Sequence, residues 1–172
     1  MLSLFRRVGG VALDGITKRV FGWYQTLYSS RRSDVSDAAP AKHEAAQKMG
    51  FKDGDLIQEL GYDDDVDFDL RDSLEDAVGS ELLTEEDHEV VDGIIYWWRD
   101  DDGDLIDALV DSLVSLDDDA VVWLLTPKSG RDGYVSPAAI QADAPTAGLH
   151  VTNTEGVSED WSATRLVARR KN

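Results

Sequence analysis

Residues 90–125 decide the fold, and they read VVDGIIYWWRDDDGDLIDALVDSLVSLDDDAVVWLL. Val90–Trp98 is apolar apart from one Asp-Gly pair, which is the pattern of a strand covered on both faces in a parallel sheet. Asp104 can then cap a helix whose buried stripe is formed by leucines at helical spacing, namely Leu105, Leu109, Leu113 and Leu116. Ala120–Leu125 supplies another buried strand. Strand, helix and strand together predict a βαβ unit.

Upstream of this unit, Asp55–Gly61 predicts a first strand, because its apolar residues stand between two glycines. A helix follows the strand, and its buried face is Leu70, Leu74, Ala77 and Val78, at i, i+4, i+7 and i+8. Gly79 stands where a helix stop is expected. The segment therefore adds a strand and a helix before the βαβ unit.

Downstream, Ser136 and Pro137 have the character of a helix cap and first helical position, and the short helix is predicted to run through Ala142. Two final strands, residues 149–157 and 163–168, are close enough in sequence to pair as an antiparallel hairpin at the edge of the sheet. The predicted fold class is α/β, with a small, open, three-layer and mostly parallel sheet.

Charge divides the chain at about residue 34. The first 34 residues hold six basic and two acidic residues, a net +4, whereas the rest hold 33 acidic and 11 basic residues, a net −22. Apolar residues recur at helical spacing in this arm, so residues 1–32 could contact an anionic membrane surface, or the arm is a disordered extension. We therefore predict an arm (1–34), a polar linker (35–48) with a short helix from Pro40 to Met49, and an acidic domain (49–172).

Composition limits the remaining classes. The 172 residues contain no cysteine, which excludes disulfides, thiolate zinc sites and cysteine nucleophiles. No apolar stretch approaches the roughly 18 to 20 residues that a spanning helix needs. The expectation from these observations is a single domain in the cytoplasm, without a transmembrane segment.

Acidic residues dominate the middle of the chain, with 26 between Asp53 and Asp119 against only Arg71 and Arg99 as bases. Such a surface repels nucleic acid and favours a basic protein partner, with mimicry of DNA as a related possibility. Divalent-cation binding stays open for five carboxylates that follow predicted strands, namely Asp63, Asp65, Asp67, Asp100 and Asp102. An EF-hand is excluded, because Phe68 and Leu74 stand where a glycine and a glutamate are required.

A ligand crevice, if the domain has one, should lie outside the carboxyl ends of the parallel strands. Its predicted lining is Gly61, Tyr62, Asp63, Trp98, Arg99, Asp100, Thr126, Lys128 and Ser129. The chain contains none of the common nucleotide-binding, zinc-protease or serine-hydrolase motifs. Catalytic residues therefore cannot be assigned from the sequence.

Several stretches resemble an uncharacterised actinobacterial family, known as domain of unknown function family 3052. They are DLIQELGYDDDVDFDLRD (55–72), VVDGIIYWWRDDDGDLIDALVDSL (90–113), VVWLLTPKSGRDG (121–133), PTAGL (145–149) and DWSATRLVA (160–168). The resemblance spans residues 49–169, and it implies a source and a fold rather than an activity.

Residues 89–169 also resemble the later half of Rossmann-like, S-adenosylmethionine-dependent methyltransferases, with an aspartate between strand and helix and a final hairpin. Such enzymes have a glycine-rich turn after their first strand, but here that turn has one glycine, Gly61, and three carboxylates. Their second strand is missing or very short in this chain. The resemblance thus implies a degenerate scaffold.

The function expected from these features is that of a non-enzymatic regulatory or protein-interaction domain, with no cofactor. Two alternatives stay open. One is an enzyme that binds S-adenosylmethionine or a nucleotide, favoured by the cationic Arg99 and Lys128 at the strand ends. The other is a domain that binds a divalent cation, or a receiver-like signalling domain in which Asp63, Asp64, Asp100 and Lys128 would take the phosphoacceptor roles.

Overall fold

The computed structural model describes the backbone of residues 39–168, and the side chains of that range except those of 39–43, 118 and 119. The predicted basic arm, with its membrane-surface contact, lies outside the described residues. Among the described helices, none is long and apolar enough to cross a membrane.

The described chain forms one five-stranded sheet with helices between the strands. In chain order the elements are α1 (Ala39–Met49), β1 (Ile57–Leu60), α2 (Phe68–Val78), β2 (Val91–Trp97), α3 (Leu105–Ser112), β3 (Leu116–Pro127), α4 (Pro137–Asp143), β4 (Leu149–Gly156) and β5 (Trp161–Ala168). The strand order is β1-β2-β3-β5-β4, and β1, β2 and β3 pair in parallel. β5 pairs antiparallel with both β3 and β4. The predicted mostly parallel sheet with an antiparallel edge hairpin is confirmed.

Local capping chemistry sets the helix boundaries. The Asp104 carboxylate accepts hydrogen bonds from the backbone N–H groups of Ile106 and Asp107 at 2.9 and 3.2 Å, and the Ser136 hydroxyl accepts one from Ala139 at 3.2 Å. Gly79 ends α2 with φ of 78°, a left-handed conformation that glycine adopts without strain. These starts and stops are those predicted from the sequence.

The predicted leucine stripe of α3 is wrong at its end. The helix stops at Ser112, Leu113 is its C-cap, and Leu116 is the first residue of β3. The N–H of Val91 donates to the carbonyl of Ser115 at 2.9 Å, so parallel pairing with β2 draws residues 115 and 116 into the sheet. Sheet pairing therefore overrides the helical spacing of the leucines, and β3 is longer than predicted.

The second strand of the methyltransferase pattern is reduced to one residue. Leu83 makes an isolated parallel bridge to Gln58 on the outer side of β1. Its N–H donates to Ile57 and its carbonyl accepts from Glu59, both at 2.8 Å. This agrees with the prediction that the strand is missing or very short.

Two apolar layers cover the sheet. Trp97 packs in the layer that contains α1 and α2, whereas Trp98 packs in the layer that contains α3 and α4. Successive strand residues face opposite sides, as predicted for this pair. The predicted helix over 40–49 is present as α1, and Ala45, Ala46 and Met49 belong to the core, so the core begins within the segment predicted as linker.

Candidate functional site

Arg99 dominates the carboxyl edge of the sheet. It directly follows β2, and only 8% of its surface is exposed. Its Nη1 donates to the carbonyl oxygen of Gly61 at 2.8 Å, and its Nε donates to Oδ2 of Asp65 at 3.2 Å. Nη2 pairs with the other oxygen of Asp65, and the guanidinium carbon lies 5.2 Å from the centroid of the Trp161 ring. Arg99 thus ties the turn after β1 to the turn after β2.

Carboxylates keep this buried arginine charged. Burial lowers the pKa of Arg99. The hydrogen bond with Asp65 and the charges of Asp65, Asp102 and Asp63 together raise it by more, so the pKa lies above the ordinary arginine value. The backbone N–H of Arg99 also donates to Asp102 at 2.8 Å. The guanidinium is therefore a fixed cation with its donors directed at the protein itself.

Two glycines let the surrounding turns close on this side chain. A Cβ at Gly61, which has φ of +66°, would lie 2.1 Å from the carbonyl oxygen of Trp97. A Cβ at Gly133 would lie 2.7 Å from the Cβ of Arg99, and the carbonyl of Gly133 accepts from the N–H of Asp100 at 3.1 Å. A glycine such as Gly61 could let a ligand come close to the backbone, but here the space beside it is filled by Trp97 and Arg99 of the same chain.

The structure brings only part of the predicted crevice together. Gly61 and Arg99 are in contact, and Tyr62, Asp63, Asp100 and Ser129 are exposed in the neighbouring turns. Thr126 is buried in the sheet, where it pairs with Ser162, and Trp98 packs edge-on against Tyr96 with ring centroids 5.6 Å apart.

Lys128 binds acceptors other than those of Arg99. Its Nζ donates to the carbonyl of Ser158 at 2.7 Å, and its N–H donates to the carbonyl of Asp160 at 2.8 Å. Both acceptors lie in the turn between β4 and β5. The two cations at the strand ends therefore have different hydrogen-bond acceptors.

Three of the five metal candidates have structural roles. Asp67 caps α2 by accepting from Leu70 at 2.9 Å, whereas Asp65 and Asp102 bind Arg99. Asp63 and Asp100 lie exposed in their turns. Within residues 39–168, no group of three or more histidine, aspartate or glutamate side chains is placed to hold a metal ion.

Sequence reasoning missed a second buried ion pair beside the first. Glu59, 6% exposed, accepts from Arg71 Nε at 2.6 Å and from the indole N–H of Trp97 at 2.8 Å. Trp97 in turn packs edge-on against Trp161, whose ring lies under Arg99. The sequence did carry a signal for these pairs. Between Asp53 and Asp119, Arg71 and Arg99 are the only bases among 26 acids, and both form ion pairs within the domain.

The described residues line two cavities, and neither is lined by a predicted crevice residue, although Glu85, which lines one of them, accepts a hydrogen bond from the N–H of Gly61 at 2.8 Å. One, of about 390 Å³, lies beside the start of β2 and contains Lys48, Lys52 and Arg165. The other, of about 400 Å³, lies between α3 and the loop of residues 84–90, and we call it the α3 groove.

The parallel strands, the antiparallel final hairpin and the helices on both faces define a Rossmann-like sheet of the methyltransferase type. Similarity to solved structures supports this class. A SAM-dependent methyltransferase from Aquifex aeolicus superimposes with a TM-score of 0.51 at 13% identity, covering 80% of this chain and 96% of that one. The O-methyltransferase NcsB1 from neocarzinostatin biosynthesis, in complex with S-adenosylmethionine, gives 0.53 at 14% identity, covering 90% and 59%. At these identities the likeness concerns the fold alone.

The chain belongs to the family described as "Protein of unknown function (DUF3052)", whose model matches residues 46–170. Among its relatives is the uncharacterized protein Rv2239c of Mycobacterium tuberculosis, 49% identical over 122 residues, which are 71% of this chain and 77% of that protein. The uncharacterized protein Mb2263c of Mycobacterium bovis matches to the same extent. The family resemblance stated from the sequence is confirmed.

Proposed function

We propose that this domain is a non-enzymatic protein-interaction or regulatory module, built on a methyltransferase-like sheet, that binds a basic protein partner. One observation carries the proposal: the buried Arg99 lies against Gly61 at the carboxyl edge of β1 and β2. Open α/β sheets bind their ligands outside this edge. Here a side chain of the domain occupies it.

S-adenosylmethionine does not fit the residues at this edge. Its carboxylate would approach a turn that carries Asp63, Asp64 and Asp65, and like charges repel. The guanidinium that could attract it is already bound to Asp65 and to the Gly61 carbonyl. The first turn also leaves no added room at Gly61, where even one methyl group would meet Trp97.

The exposed surface around Arg99 suits a basic protein. Exposed acids lie in the turns after β1 and β2, and we call them the acidic edge: Asp63, Asp64, Asp100 and Asp101. Tyr62 and Phe68 are 49% and 47% exposed beside the first turn, with ring centroids 6.3 Å apart. Carboxylates with aromatic rings attract lysine and arginine side chains by charge and by cation–π contact.

Calorimetric titration of the full chain tests the enzyme alternative. S-adenosylmethionine, S-adenosylhomocysteine and ATP should each give no saturable heat at ligand concentrations up to about 1 mM, a range that covers ordinary small-molecule affinities. Saturable binding of any of them to the wild-type chain, lost in Arg99→Ala, would overturn the proposal and place a ligand at this edge.

Affinity capture tests the partner. The tagged full chain and a variant with all four acidic-edge aspartates changed to asparagine should be compared at about 0.15 M salt and above, where exposed charges are screened over about 8 Å. A partner retained by the wild type and lost from the variant supports the proposal. Equal capture by both proteins would show that the acidic edge is not the binding surface.

A further inference from the structure

The α3 groove is an open site next to β1, with both apolar and acidic residues in its lining. Leu60 of β1 and Tyr96 of β2 line it from the sheet, Ala108 lines it from α3, and the loop of residues 84–90 closes the opposite side. Its volume of about 400 Å³ lies within the range of roughly 300 to 1,000 Å³ found for ligand sites. The groove can thus accept side chains from outside.

Exposed valines surround the opening. Val90 and Val114 line it and are 68% and 88% exposed, and Val110, which is on α3 but not in the lining, is 46% exposed. Exposed apolar residues grouped at a concave surface indicate a contact site, whereas single ones do not. In the described part of the chain, these three are among four exposed large aliphatic residues, and the fourth is Leu56.

Apart from His88, the charged side chains that line the groove are all acidic. Its acidic lining residues are Glu85, Asp87, Glu89 and Asp111. Within the described residues none of these four pairs with lysine or arginine, whereas Glu59, Asp65 and Asp160 do. Charge complementarity therefore selects a cationic occupant and disfavours phosphate-bearing ligands.

Tyr96 offers a polar contact inside the groove. Its hydroxyl makes no hydrogen bond to the residues that the structure describes, and it lines the cavity. Burial raises the pKa of Tyr96, and the charges of Glu85, Asp102 and Asp111 add to the effect, so the hydroxyl stays protonated near neutral pH. It can donate to a backbone carbonyl of a bound segment.

We infer that the α3 groove binds a short segment of the partner protein in which lysine or arginine alternates with aliphatic side chains. The aliphatic groups would pack on Leu60, Val90 and Val114, and the cations would lie against Glu85, Glu89 and Asp111. This inference rests on the proposed interaction function and names the surface and the chemistry of its partner.

Amide chemical shifts of the ¹⁵N-labelled full chain test the site. The probe is a seven-residue peptide with lysines at positions 1, 4 and 7 and valine-leucine pairs between them, and its counterpart carries glutamates in place of the lysines. Shift changes should concentrate in residues 85–90 and 108–115 for the lysine peptide and be absent for the glutamate peptide.

Two variants and a matched control separate groove binding from general attraction. Asp111→Lys should weaken the lysine peptide about tenfold or more, since a like charge replaces an opposite one. Asp111 lies in the last turn of α3, where a lysine is compatible with the helix dipole, so folding is preserved. Val114→Asp removes an apolar contact at an exposed site, so the lysine peptide should cause smaller amide shift changes in the groove of this variant. Glu159→Lys makes the same charge change at an exposed site in the turn between β4 and β5, outside both the groove and the acidic edge, and should weaken binding less than about threefold.

The outcomes distinguish this inference from the proposed function. Shift changes outside the groove, equal weakening by Glu159→Lys and Asp111→Lys, or no binding of the lysine peptide would each overturn the inference. In those cases the interaction function still stands if S-adenosylmethionine and ATP also fail to bind. Binding of either cofactor to the wild-type crevice overturns the proposed function, whatever the peptide does.

Discussion

Nη1 of Arg99 donates to the carbonyl oxygen of Gly61 at 2.8 Å, across the ends of two adjacent parallel strands. The same guanidinium holds Asp65 and lies over Trp161. This one side chain therefore takes up the position where an open α/β sheet would hold a ligand, and it joins the turns after β1 and β2 to Trp161 at the start of β5. We therefore expect that removing this side chain mainly lowers the free energy of unfolding.

Arg99→Ala should lower the free energy of unfolding by about 2 to 3 kcal/mol, because hydrogen bonds to a charged group and buried packing are lost together. Urea denaturation followed by tryptophan fluorescence measures the change. The control is Arg131→Ala, since Arg131 forms an exposed ion pair with Asp160 and should contribute at most about 1 kcal/mol. Equal effects of the two substitutions would contradict a central role for Arg99.

Gly61→Ala should destabilise the domain by more than about 2 kcal/mol. The new Cβ would lie 2.1 Å from the Trp97 carbonyl oxygen, so backbone must shift in addition to the cost of a left-handed conformation. Gly50→Ala is the matched control, because Gly50 also has positive φ, +80°, but nothing lies within 4 Å of its added Cβ. That control should cost only about 1 to 2 kcal/mol, and a larger loss there than at Gly61 would count against the steric argument.

Glu59→Gln should cost about 1 to 3 kcal/mol, because it leaves Arg71 partly buried without its opposite charge. The amide oxygen can still accept from the Trp97 indole, so the tryptophan emission should change little while the midpoint of unfolding falls. Glu44→Gln removes an exposed pair with Lys48 and should change stability by less than about 0.5 kcal/mol. If Glu59→Gln leaves the free energy of unfolding unchanged, the buried pair makes no net contribution to stability.

Glu75→Gln should stabilise the domain at neutral pH, by about 0.5 kcal/mol, a typical size for a partly buried substitution. Burial raises the pKa of Glu75 above its ordinary value of 4.5, although the N–H of Leu82 and the charge of Arg71 oppose this. The folded state then binds the proton more readily than the unfolded state, so the group's contribution to stability is full below the unfolded pKa and is lost as pH rises through the folded pKa.

Unfolding curves from pH 4 to pH 8 check this sign. The stability difference between Glu75→Gln and the wild type should be largest near neutral pH and should shrink as pH falls toward about 4.5. A difference that is constant over this range would mean that the effect comes from packing or from the hydrogen bond to Leu82, not from the charge.

Local signals predicted the elements well because their causes are local. Asp104 and Ser136 start helices through side chains that bond backbone two or three residues ahead, and Gly79 ends one through its own φ. The predicted helical stripe was wrong at Leu113 and Leu116 because a long-range contact overrode the local spacing. Residues 115 and 116 pair with β2, and the helix ends before them.

The site was predicted only in part. The sequence places Gly61 and Arg99 at strand ends, and parallel strands bring their carboxyl ends to one edge. It does not show that Arg99 points back to Gly61 and Asp65, or that Lys128 points to the turn at Ser158. The α3 groove was not predicted at all, since residues 84–90 and 108–115 are apart in sequence and their pattern indicates only a loop and a helix.

The sequence by itself determined the family, the α/β class, the strong negative charge of the domain and most element boundaries, because periodicity, capping and composition act over a few residues or over the whole chain. Only the tertiary structure decided that Arg99 fills the edge of the sheet and that Val90 and Val114 border an acidic groove. Such contacts depend on how turns distant in sequence meet, and that geometry is set by the packing of the complete sheet.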